Sequence, residues 1–170
     1  MSSERQKKID EKLWQIEREK KQNSFLEKVA SLNLELTLLS FEESDWFQNS
    51  SDEWPDRYKD ELVFQFEVEA FIEVEKLITK YLNNIETSFV YIFLMNFNFG
   101  LIEISKQDFL RSWRNIIEID GDEVFCFNPI KRNFILVEKT EELIEGQKKW
   151  IYEITLSNKE LKNIVEKNGL

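Results

Sequence analysis

The stretch Ser88–Asn96, SFVYIFLMN, limits what this chain can fold into more than any other. Phe89 to Met95 are seven consecutive apolar residues, mostly aromatic or β-branched, with no charge, glycine or proline among them. Such a run predicts a strand buried on both faces in the middle of a sheet. It organises a core and carries no chemistry.

On either side of it the apolar spacing changes repeatedly. Ser3 to Gln22 is rich in Lys, Glu, Gln and Arg, with Ile9, Leu13 and Ile16 at i, i+4, i+7. That is one narrow stripe of a charged helix, set off as residues 1–22 from a single α+β domain at 23–170. The stripe can dock on the domain or meet a second copy in a homodimer. Docking is expected, because a coiled coil wants at least three heptads. Phe25, Leu26, Val29 and Ala30 continue the helix to about Ser31. Leu32, Leu34, Leu36 and Leu38 then alternate with polar residues, a strand pattern in which a helix remains open.

A long central helix is expected from about Asp56 to Asn83. Ala70, Phe71, Val74, Leu77, Ile78, Tyr81 and Leu82 define one apolar face in its second half. Residues 62–68 also alternate as a strand would, and as a helix they would place Glu67 among apolar neighbours, where a carboxylate must be paired or neutral. After the central strand, Phe97–Gly100 predicts a turn and Leu101–Ile104 another strand. Ser105 with Asp108 predicts a helix start, with Phe109, Leu110 and Trp113 facing inward.

A meander is expected next. Ile116–Ile119 leads into a turn at Asp120-Gly121. Glu123–Phe127, Phe134–Val137 and Trp150–Leu156 follow as strands, with a connection or a single helical turn at Thr140–Gly146. Ser157 and Glu160 form a capping box for a closing helix. The sum is an α+β fold: N-terminal helices, a long central helix, an antiparallel sheet of five or six strands in the C-terminal half, and a C-terminal helix.

Composition narrows the function. At 170 residues the chain fits one domain. Its net charge of −10 argues against nucleic acid and against an anionic membrane surface as partners, and favours something basic. There is no histidine, which excludes Ser-His-Asp and Cys-His mechanisms and removes the commonest zinc ligand. The single cysteine, Cys126, lies between two phenylalanines and reads as a small core residue. With no apolar leader and no membrane-length run, the expected location is the cytoplasm. Four scattered glycines build neither a phosphate loop nor a dinucleotide fingerprint, so no cofactor is expected. Asp120-Gly121-Asp122-Glu123 lacks the spacing of a calcium loop, and no metal site is expected.

The segment Glu42–Glu61 is the best candidate for function. Eight acids stand there against Arg57 and Lys59, interleaved with Trp46, Phe47, Trp54 and Tyr58. Carboxylates steer a basic partner and aromatic rings anchor it. The candidate contact residues are Glu42, Glu43, Asp45, Trp46, Asp52, Glu53, Trp54 and Asp56. The competing reading has both tryptophans filling the core while the acids face water.

The run GDEVFCFNPIKRNFILVEKTEEL, followed by KKWIYEITLSN, resembles the sheet region of the small cytoplasmic immunity proteins that accompany bacterial toxins, such as those of contact-dependent inhibition systems. Size, acidity and α+β layout are similar too. The resemblance implies a tight inhibitor of a cognate toxin domain that catalyses nothing itself. The basic partner it suggests could be a nuclease. The alternative is a structural or regulatory module assembling through its N-terminal helix.

Overall fold

Seven strands form one antiparallel sheet in the computed structural model, which describes residues 2–49, 62–130 and 133–157. They are β1 (Leu36–Leu38), β2 (Leu62–Glu67), β3 (Phe89–Phe93), β4 (Leu101–Ser105), β5 (Glu123–Phe127), β6 (Phe134–Ile144) and β7 (Gln147–Leu156), in the order β1-β4-β3-β5-β6-β7-β2. The helices are α1 (Ser2–Val29), α2 (Phe41–Asn49), α3 (Phe71–Asn83) and α4 (Lys106–Asp120). The α+β class is as expected. The expected C-terminal helix lies outside the described residues.

Strand β3 is internal, between β4 and β5, but its two faces differ. Val90 and Ile92 are fully buried, while Phe89, Tyr91 and Phe93 are half-buried. The first face packs against α3 and α4, with Ile102, Ile104, Val124, Cys126, Ile135, Val137 and Ile154 beside them. Burying each such side chain contributes about 1.5–3 kcal/mol before entropy. The second face carries a smaller cluster of Leu101, Phe125, Phe127 and Phe134, on which Phe47 of α2 sits.

Several expectations need correction. Residues 62–67 are strand, not the first half of a long helix, and a short 3-10 turn at Val68–Ala70 makes the junction that needs no glycine or proline. The alternating pattern prevails because β2 finds an edge to pair with, from Leu62 opposite Leu156 to Glu67 opposite Ile151. Glu67 therefore faces solvent and pairs with Lys149 at 2.6 Å. Ile116–Ile119 is helix, not strand. Phe109, Trp113, Ile116, Ile117 and Asp120 share one buried face of α4, and that helical period outweighs β propensity. Asp120-Gly121 is accordingly the end of a helix, with Gly121 at φ 92°, and not a hairpin turn.

Thr140–Gly146 is neither a connection nor a helical turn. β6 continues to Ile144, and Glu145-Gly146, at φ 51° and 79°, turns it into β7. Of the leucine alternation, only Leu36–Leu38 becomes strand, after a 3-10 turn at Ala30–Leu32. The sheet is also not confined to the C-terminal half, since β1 and β2 supply its two edges. The helix start at Ser105 is as expected: its hydroxyl accepts from the Asp108 N–H at 3.0 Å.

Helix α1 runs through residue 22 to Val29, and the stripe on it is not docked. Arg18, Phe25 and Val29 are buried, but Ile9, Leu13 and Ile16 are exposed.

Candidate functional site

Helix α2 is built by a capping box, Ser40-Phe41-Glu42-Glu43. The Glu43 N–H donates to Ser40 Oγ at 3.2 Å, while Ser40 N–H and Oγ–H donate to Glu43 Oε2 at 2.9 and 2.7 Å. Those bonds hold the Glu43 carboxyl below its usual range, so it stays charged. The Ser-x-x-Glu spacing that signals this helix start stands in the sequence, within its acid-rich surroundings.

Period 3.6 then sorts the helix. Ser44 and Phe47 are buried, and the Ser44 hydroxyl accepts from the Leu101 N–H at 3.0 Å, which fixes α2 to β4. Glu42, Glu43, Asp45 and Trp46 are all exposed. Trp46 is 66% exposed, so it does not fill the core. The carboxylates do not form one cluster, however. Asp45 turns to α1, where Arg18 Nη1 donates to it at 3.0 Å. Glu43 turns to the sheet. Asp52, Glu53, Trp54 and Asp56 lie outside the described residues, as does the start of the expected central helix at about Asp56.

Between α2 and the second face of the sheet lies a cavity of about 330 Å³, lined by Glu43, Trp46, Phe47, Tyr91, Glu103 and Pro129 among others. Glu103 is half-buried and makes no ion pair among the described residues. Burial raises the Tyr91 phenol above its usual range, and the charges of Glu103 and Glu43 push it the same way. The cavity thus has aromatic walls and a negative field.

The second face continues this chemistry across the sheet in register. One row runs Glu103, Tyr91, Phe127, Phe134, and the next runs Leu101, Phe93, Phe125, Leu136. A third row is Glu123, Glu138, Glu153, directly opposite one another on β5, β6 and β7. Beyond them Gln65 donates to Glu153 at 2.9 Å and to Glu142 at 3.1 Å. Burial raises the carboxyls of Glu123 and Glu138 above their usual range, and Glu123 and Glu153 add to the effect on Glu138. Like charges facing each other across strands cost stability. An aromatic band bordered by carboxylates is the result. Sequence reasoning missed Tyr91, Glu103, Glu138 and Glu153, because only strand register brings them together.

No protein-family model matches the chain, and no curated protein or solved structure matches it either. The site therefore rests on its own geometry. Among the described residues no group of three or more acids and cysteines could hold a metal ion, and no helix is long and apolar enough to cross a membrane.

Proposed function

We propose that this is a cytoplasmic, non-enzymatic binding protein that neutralises a basic toxin domain, with the face formed by α2 and the adjoining sheet as its contact surface. One observation carries the reading: Trp46 stands exposed at the rim of a cavity walled by Tyr91, Glu43 and Glu103. An exposed ring beside carboxylates that form no ion pair among the described residues is the chemistry that receives a lysine or arginine. A partner's basic side chain enters the cavity, stacks on the rings and neutralises Glu103. The carboxylate row of β5–β7 extends the same field and draws the partner in. Nuclease domains suit this surface, because their own substrate is a polyanion and their binding surface is correspondingly basic.

The test uses the product of the gene next to this protein's own, where that gene encodes a toxin domain. The wild-type chain should bind it and protect cells that express it. Trp46→Ala combined with Glu103→Lys should lose both effects while remaining folded. Protection that survives the double substitution would refute this placement of the contact surface.

A further inference from the structure

Helix α1 is unbroken for 28 residues, and in its first half the side bearing Glu11, Trp14 and Gln15 lines a cleft with Phe41, Glu42 and Asp45 of α2. Every residue from Glu4 to Glu17 is exposed. On the other side of that stretch, Ile9, Leu13 and Ile16 are 42%, 60% and 48% exposed. At 3.6 residues per turn they lie between about 140° and about 200° around the helix from Arg18. Arg18 is the residue that joins α1 to α2, so the stripe faces away from its own domain.

The charges beside the stripe specify what covers it. With Ile9 and Ile16 at d and Leu13 at a, Arg5 and Lys12 occupy g, and Asp10 and Glu17 occupy e. In a parallel pair of helices in register, each g residue meets the e residue five positions on in the other chain. Arg5 of one copy then meets Asp10 of the other, and Lys12 meets Glu17. An antiparallel pair would bring g against g and e against e, base on base and acid on acid. Arg5 and Lys12 make no ion pair within their own chain among the described residues. Asp10 accepts from Gln6 at 2.9 Å and Glu17 pairs with Lys21 at 3.3 Å, both exposed contacts whose second oxygens stay available.

We infer that α1 pairs with a second copy of this chain as a parallel, in-register two-helix coil, with the two domains on its outer sides. Gln6 and Lys20 occupy the a positions at either end, which confines the apolar seam to three layers. That seam falls short of the three heptads a stable coiled coil wants, so the association is weak, with a dissociation constant on the order of 100 µM. Because α2 lies on the opposite side of α1 from the seam, pairing leaves the face around Trp46 uncovered. The inference therefore stands apart from the partner-binding reading.

Sedimentation of the full chain from about 10 µM to about 1 mM decides it. The mass should rise toward twice that of the monomer. Leu13→Asp should hold the chain monomeric, and Lys12→Glu should weaken association about tenfold by setting acid against Glu17. Lys12→Glu with Glu17→Lys should restore it, an outcome that only the parallel register predicts. All three positions are exposed, so the variants should fold, which circular dichroism will verify. A wild-type chain that stays monomeric throughout would overturn the inference and leave the stripe to a different protein. Association that survives Leu13→Asp, or a double exchange that fails to restore it, would overturn it equally.

Discussion

Arg18 donates from Nη1 to Asp45 at 3.0 Å, and this pair joins α1 to the helix that carries the candidate interface. The same guanidinium donates from Nε to the Phe99 carbonyl at 2.8 Å and lies 4.2 Å over the Phe41 ring. Its side chain is almost fully buried, whereas that of Asp45 is half exposed. Asp45 thus anchors the helix that carries the candidate interface.

The asymmetry in burial sets the expected costs. Arg18→Ala should destabilise the protein by about 3 kcal/mol, since it removes a buried cation with two hydrogen bonds and a stacking ring. Asp45→Ala should cost about 1 kcal/mol, because solvent partly compensates for the lost partner. Urea unfolding of the two variants should show that order. Equal losses would mean that the pair is not buried as described.

Gly100 lies next to this junction at φ 144°, and a Cβ there would meet Ser44 Oγ at 2.7 Å. Gly100→Ala should therefore cost about 2 kcal/mol or more, through both backbone strain and displacement of α2 from β4. A thermal melt would register this as a clear fall in midpoint.

The carboxylate row of β5–β7 costs folding stability. A carboxyl whose folded pKa is raised holds its proton better in the folded state. Its contribution is therefore greatest at low pH and is lost as pH rises. Glu123 and Glu138 are both raised, so their contribution should fall as pH climbs above the usual carboxyl range. Glu138→Gln should flatten that slope and stabilise the protein at pH 7 by about 0.5 kcal/mol. If the row serves binding, the same change should weaken affinity for a basic partner.

Asp120 gives a second pH window. Burial at the end of α4 raises its pKa to about 6, even though its Oδ1 accepts from the N–H groups of Asn96 and Phe97 at 3.2 and 3.3 Å. Its Oδ2 is buried and has no hydrogen-bond partner among the described residues. The stability this group contributes is complete below about 4 and is lost as pH rises through about 6. Asp120→Asn keeps an acceptor for both N–H groups and removes the charge. Unfolding free energies at pH 5 and pH 7.5 should converge in that variant relative to wild type, and an unchanged difference would assign the pH dependence elsewhere.

Much of the fold was legible locally. Within the apolar run Phe89–Met95, Phe89–Phe93 becomes an internal strand, Ser105 caps α4, and the face from Val74 to Leu82 is buried as its spacing implied. What failed depended on distant partners. Leu62–Glu67 reads as either helix or strand until β7 is there to pair with it, and Ile116-Ile117 reads as strand until Phe109 and Trp113 set the helical face. The site divides in the same way. Trp46 and its neighbouring acids were visible as a composition, but Glu103, Tyr91 and the Glu123–Glu138–Glu153 row exist only through strand register.

The central claim is that an acidic, ring-bearing face around Trp46 receives a basic protein. Its most direct test is the affinity and salt dependence of binding to the product of the adjoining gene, where that gene encodes a basic toxin domain, measured for wild type and for Trp46→Ala/Glu103→Lys. The account predicts rapid association that slows as salt is added, and a loss of about a hundredfold or more in the variant. Equal affinities for the two chains, with the variant folded, would contradict it.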